Sequence, residues 1–79
     1  MFFVYVLQSC NTKRYYIGST NDIDRRFTEH NNGQTKSTKH QRPWKIVYLE
    51  GYCDNKTAKK RERVIKSYKG GLAFKELVG

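Results

Sequence analysis

The chain opens on a run that limits its possible folds more than any other feature: Phe2-Phe3-Val4-Tyr5-Val6-Leu7-Gln8, almost wholly apolar or aromatic. Side chains along a strand point alternately to opposite faces, and here both alternating sets are apolar. Such a strand must be covered on both sides, which makes it the central strand of its sheet. With 79 residues the chain has room for one domain, 1–79, with a modest core and a single site. Six Tyr and four Phe must supply much of that core, because aliphatic residues are few.

The rest of the chain can be laid out around that strand. Ser9 to Arg14 reads as a turn, and Tyr15-Tyr16-Ile17-Gly18-Ser19 is a second β-prone run, so the two strands should pair as an antiparallel hairpin ending at Gly18. Thr20 and Asn21 are good caps, Asp22 and Asp24 load a first turn, and Asn32-Gly33 is a stop signal, which predicts a helix over 22–32 with Ile23, Phe27 and His30 as its stripe. Residues 34–43 are polar, basic and aperiodic, hence a loop. Trp44 to Glu50 alternates like a strand and should flank the first. Asp54 or Asn55 caps a second helix reaching Ser67, Gly70-Gly71 ends it, and Leu72 to Val78 suits a third. The expected fold is α+β, a three-stranded antiparallel sheet flanked by helices.

Sixteen Lys and Arg against seven Asp and Glu give a formal charge of +9, the footprint of a polyanion binder. Nucleic acid is the expected partner, although membrane headgroups or ribosomal RNA would satisfy the same charge; no apolar run approaches a membrane span, and no signal peptide or lipid anchor is evident, so a cytoplasmic location is expected. Cys10 and Cys53 are isolated, without C-x-x-C or a Cys/His cluster, and are expected to be reduced thiols with a packing role. Lys36, Lys39, Arg42 and Lys45 around the loop, with Lys59 and Arg63 on the second helix, are the candidate phosphate contacts.

Within the helices, three residues stand out. Ala58, Glu62 and Ile65 fall at i, i+4 and i+7, which puts the second helix's only carboxylate on its inward stripe. A carboxylate there needs a cationic partner or a metal; an ion pair with Lys59 or Lys66 would serve as well as a divalent ion. On the first helix Arg26 and His30 are four apart, so a fork of donors and a titratable ring turn toward the sheet, a pairing suited to a phosphate and its attacking water. Tyr5 and Tyr16 lie on paired strands and two phenols can approach each other there; core aromatics would look the same.

Phe3-Val4-Tyr5, ten residues, Tyr16-Ile17-Gly18, then Arg26, His30 and a later helical Glu62 resemble the GIY-YIG nuclease superfamily over about Phe2 to Ile65, most closely its small single-domain bacterial members. The resemblance implies a metal-dependent endonuclease hydrolysing phosphodiester bonds, in DNA ahead of RNA, with one Mg2+ or Mn2+. It implies Glu62 as metal ligand, Arg26 as phosphate-stabilising arginine, Tyr5 and Tyr16 as the signature phenols that place or deprotonate the water, His30 as a further site residue, and Gly18 as the glycine that admits the substrate closely. Phe3 and Val4 replace the first Gly and Ile of the signature, and residues 63–79 lack the Asn that many members carry after the metal Glu. Larger members attach a targeting domain, so here the expected substrate selection is structure-selective or weakly sequence-selective, with a partner protein as a possible source of targeting and a monomer as the working unit. The alternative is a non-catalytic nucleic-acid-binding module on the same scaffold.

Overall fold

The structure, a computed structural model, describes all of residues 1–79. Strand β1 (Phe2–Ser9) lies between β2 (Tyr15–Thr20) and β3 (Trp44–Tyr52), both antiparallel to it. Helix α1 (Ile23–Asn31) follows β2, and α2 (Asn55–Ser67) and α3 (Leu72–Val78) follow β3. This is the expected α+β architecture, with β1 at the centre because both its faces are apolar.

Each face of β1 feeds its own core. Val4 and Val6, fully buried, pack against Ala58 and Ile65 of α2 and Phe74 of α3. Tyr5 and Leu7 point the other way, onto Trp44 at the start of β3, with Tyr16, Ile23 and Phe27 around them. A buried Val or Ile side chain contributes about 1.5–3 kcal/mol relative to exposure, so these few residues carry much of the fold's stability.

The boundaries differ from expectation in ways the contacts explain. β2 does not stop at Gly18; Ser19 and Thr20 stay extended because they pair with Val4 and Phe3. α1 is shorter, Ile23–Asn31, because Asp22 is the cap: its carboxylate accepts the Arg25 amide at 3.1 Å, while Thr20 Oγ1 accepts the Asp22 amide. β3 runs two residues past Glu50, to Tyr52, with a bulge where its register jumps between Val6 and Leu7. The loop contains a short 3₁₀ turn, Lys39–Gln41, and is stitched to the hairpin: Ser9 Oγ donates to the Gln41 carbonyl at 2.6 Å and accepts two amides of its own turn. Cys10 and Cys53 are both exposed, so the packing role expected of them is overturned; each sits in a surface turn beside a strand end.

Helix α2 is fixed by more than its apolar stripe. Arg61 holds Glu50 of β3 through Nε at 3.0 Å and Nη2 at 3.1 Å, and the hydroxyls of Tyr48 and Tyr52 donate to the same carboxylate. The next residue, Glu62, accepts a hydrogen bond from Ser19 of β2 at 2.6 Å. The helix is thus anchored on both sides of its contact line, which sets its rotation over the sheet. Burial alone would raise the Glu50 carboxyl; Arg61 and the two phenols outweigh it and hold it below the ordinary carboxylate range. Because the pair is partly exposed, Arg61→Met should cost about 1–3 kcal/mol in urea unfolding, against less than about 0.5 kcal/mol for the neighbouring exposed Lys60→Met. Equal midpoints for the two variants would remove Arg61 as an anchor.

Candidate nuclease site

The site forms where β2, an edge strand, carries Gly18 and Ser19 in succession. Neighbouring strand residues face opposite sides of a sheet, so functional groups reach this edge from both faces. From one face Glu62 of α2 meets Ser19; on the other, Tyr5 lies over Gly18 and Tyr16 stands beside it, with Arg26 and His30 of α1 above them. The influence of the Glu62 charge extends to Tyr5, which it pushes further toward the neutral phenol.

Tyr5 is 1% exposed. Burial pushes its phenol up to about 12, only partly offset by the Arg26 guanidinium. Its hydroxyl lies 3.1 Å from His30 Nε2, and His30 Nδ1 lies 2.9 Å from Thr38 Oγ1. Thr38 Oγ1 donates in turn to the Thr35 carbonyl, so the proton assignment that satisfies the chain puts hydrogen on Nδ1 and leaves Nε2 to accept from Tyr5. His30 is fully buried, and burial, with the Arg26 charge added, lowers it to about 4. It is therefore a neutral imidazole inside the protein, tying the Tyr5 phenol to the loop, and has no nitrogen left to orient a solvent water. The loop end of this relay is secured by Trp44, whose Nε1 donates to the Thr38 carbonyl at 2.9 Å.

Tyr16 is half-buried, its ring 4.8 Å from that of His30 and 6.4 Å from that of Tyr5. Arg26 is half-buried as well: one Nη1 bond of 3.2 Å to Glu29 orients it, and both tyrosine hydroxyls favour its charged form. A five-donor guanidinium so held keeps donors for an incoming phosphate.

Gly18 has a packing role beside the one the resemblance implies. It is buried, and a Cβ there would come within 2.5 Å of Tyr5 Oη, 2.7 Å of its Cζ and 3.2 Å of Tyr16 Cε1. The missing side chain makes room for the Tyr5 phenol. Since Tyr5 is locked by His30, it cannot swing aside, and Gly18→Ala should cost about 1–3 kcal/mol of stability. Gly51→Ala is the comparison: its Cβ would press on the Met1 thioether at 2.8 Å, on an exposed terminal side chain free to move, with Phe3 Cε1 at an ordinary contact distance of 3.5 Å, and it should be neutral within about 0.5 kcal/mol. Thermal unfolding of both variants separates the two cases, and equal Tm values would show that Tyr5 is not held in place.

Glu62 is the carboxylate at the Ser19 edge, its side chain 14% exposed. Ser19 donates to Oε1, Lys66 Nζ lies 2.7 Å from Oε2, and Lys59 Nζ is 3.9 Å from Oε1. Burial on its own would raise the carboxyl, but Lys66, Ser19 and Lys59 hold it below the ordinary carboxylate range, so it is ionised at neutral pH. Both partners that the sequence left open thus bear on this residue: an ion pair is present, and the donor suits a hard divalent ion. No group of three or more His, Cys, Asp or Glu could cage a metal. A lone hard oxygen donor fits Mg2+ or Mn2+, which take one carboxylate and complete their shell from water and phosphate, and does not fit a structural zinc centre.

Lys36, Lys39, Arg42, Lys45, Lys59 and Arg63 are all exposed, as phosphate contacts require. Lys59, Glu62, Arg63 and Lys66 line one open depression on α2, while the other four belong to the loop and the start of β3. Ser19 and Thr38 were missed by sequence reasoning. Strand alternation beside Gly18 could have pointed to Ser19, but nothing in an aperiodic loop marks Thr38.

Comparison with known proteins agrees with this geometry. A model of the GIY-YIG catalytic domain matches residues 1–71. A UPF0213 protein of Staphylococcus epidermidis is 43% identical over 67 residues, covering 84% of this chain and 80% of that protein. One from Listeria welshimeri is 43% identical over 65 residues, covering 81% and 71%. The solution NMR structure of a UPF0213 protein from Bacillus halodurans superposes with a TM-score of 0.50 at 29% identity, over 94% of this chain and 92% of that one. With the family signature, the edge-strand site and these relatives in agreement, the chain belongs to the GIY-YIG catalytic domain family, in its UPF0213 group.

Proposed function

We propose that this protein is an endonuclease that hydrolyses phosphodiester bonds in DNA with one Mg2+ or Mn2+ bound at Glu62. The observation that carries the reading is the meeting, at the Gly18–Ser19 edge, of an ionised carboxylate from one face with a guanidinium and two phenols from the other. A divalent ion on Glu62 would polarise the scissile phosphate and stabilise the charge that builds on the leaving oxygen. Arg26 binds a non-bridging phosphate oxygen through its free donors. Tyr16, the less buried phenol, directs the attacking water. Tyr5, whose phenol is pushed up to about 12, remains protonated and supports Arg26 and Tyr16 from below, with neutral His30 fixing its orientation. Ser19 holds Glu62 in place. The exposed Lys and Arg of α2 and the loop grip the flanking backbone; because phosphate contacts carry no base information, cutting should be structure-selective or weakly sequence-selective.

The test is cleavage of end-labelled single-stranded, duplex, flap and branched DNA with Mg2+, Mn2+ or EDTA. Cleavage of at least one substrate that EDTA abolishes is the expected result. Salt-sensitive binding without cleavage would instead support a non-catalytic binding module, a reading favoured by one observation, the Lys66 ammonium already paired with Glu62. In either case, if about six phosphates are engaged, log affinity against log salt should have a slope of roughly −5.

A further inference from the structure

We infer that Lys66 is an internal cation that occupies the metal-binding edge of Glu62 until a nucleic-acid phosphate draws it away, so that the polyanion and the divalent ion bind cooperatively. This rests on the reading of Glu62 as metal ligand. The two carboxylate oxygens are not equivalent. Oε1 is held by Ser19 at 2.6 Å, a contact that fixes the side chain. Oε2 is covered by the Lys66 ammonium at 2.7 Å, with Lys59 3.9 Å from Oε1. Both lysines are more than half exposed, at 54% and 57%, whereas Glu62 is only 14% exposed, so the carboxylate stays in place and the ammoniums can move.

Two consequences follow. A divalent ion reaching Oε2 must displace a hydrogen-bonded ammonium and then sit beside two like charges, which weakens its binding in the absence of substrate. A phosphodiester entering the depression lined by Lys59, Glu62, Arg63 and Lys66 offers those ammoniums acceptors of its own. Lys66 then leaves Glu62 for phosphate, and each ligand removes an obstacle to the other. Linkage makes the effect reciprocal: what the phosphate does for the metal, the metal does for the phosphate.

The test is titration of Mn2+ alone, followed by the electron paramagnetic resonance of the free ion at low ionic strength, on the wild-type protein and on Lys66→Met, with Glu62→Ala as blank. Lys60→Met removes the same charge from a different face of α2, beside Tyr52 and Val64, and controls for net charge. Lys66→Met should bind Mn2+ about fivefold to tenfold more tightly at a Glu62-dependent site, and Lys60→Met less than about twofold more tightly. Glu62-dependent binding in Lys66→Met alone, too weak to detect in the wild type, would support the inference as well. Glu62-dependent binding that is equal or weaker in Lys66→Met, or tightened equally by Lys60→Met, overturns the inference while leaving the metal reading intact. No Glu62-dependent binding in either the wild type or Lys66→Met overturns both.

Discussion

Replacing Glu62 with Ala should reduce metal-dependent cleavage by about 10²–10³-fold while nucleic-acid binding stays equal or becomes slightly tighter. The two effects have opposite signs for one reason. Glu62 is the carboxylate at the Ser19 edge, so its loss removes the hard oxygen donor that would hold the cation; the same loss frees Lys66 and Lys59 from their ion pairs and leaves α2 more positive toward phosphate. The variant also forfeits the Ser19 hydrogen bond, worth about 1 kcal/mol, which is too little to unfold the domain. Single-turnover cleavage at saturating enzyme, with binding measured separately by fluorescence anisotropy in EDTA, distinguishes loss of chemistry from loss of affinity. Cleavage unchanged in Glu62→Ala would place the cation elsewhere.

Stability should fall as pH drops from about 6.5 to about 4, by roughly 3 kcal/mol in all, because of His30. The imidazole is depressed to about 4 in the folded chain against 6.5 when unperturbed, first by burial and then by the Arg26 charge, with Glu29 opposing. A depressed pKa means that the unfolded chain takes up the proton first. The contribution is therefore complete above the unfolded value and is lost as pH falls through the folded one. Tyr5, Tyr16, Thr38 and Arg26 face the ring, and the one anion whose charge reaches it, Glu29, is already engaged by Arg26 and Arg25. Urea unfolding at half-unit pH steps should show a slope approaching about 1.4 kcal/mol per pH unit in this window. The slope should vanish in His30→Gln, whatever that substitution costs at pH 8. Glu50 and Glu62, both held below the usual 4.5, act at lower pH and leave most of the window to His30. An identical slope in wild type and His30→Gln would show that the ring is not buried neutral.

Much of this could be read from the residues because local and tertiary preferences agree. The doubly apolar Phe2–Leu7 run can only be a central strand, Asp54 is the observed cap of α2, and the helix ends at Ser67, three residues short of Gly70. The inward position of Glu62 followed from helical period alone, since Ala58 and Ile65 define the buried stripe. What lay hidden depends on contacts between distant segments. Thr38 is 8 residues from His30 in a loop without period, and Ser19 is 43 residues from Glu62. The function of Gly18 was legible as a need for glycine but not as space for the Tyr5 ring, because only the β1–β2 register sets Tyr5 opposite it. Cys10 and Cys53 differ from expectation for a similar reason: their isolation from any ligand cluster suggests packing thiols, whereas both lie exposed in turns at strand ends.

The central claim is that a divalent ion binds at the β2 edge with Glu62 as its side-chain ligand. The most direct measurement is paramagnetic broadening by Mn2+, followed residue by residue in amide and aromatic NMR spectra, with Glu62→Ala as control. Broadening centred on Glu62 and Ser19, extending to Arg26, Tyr16 and Tyr5 and absent in the variant, is the expected result. Broadening that is uniform over the surface, or that persists unchanged in Glu62→Ala, would contradict it.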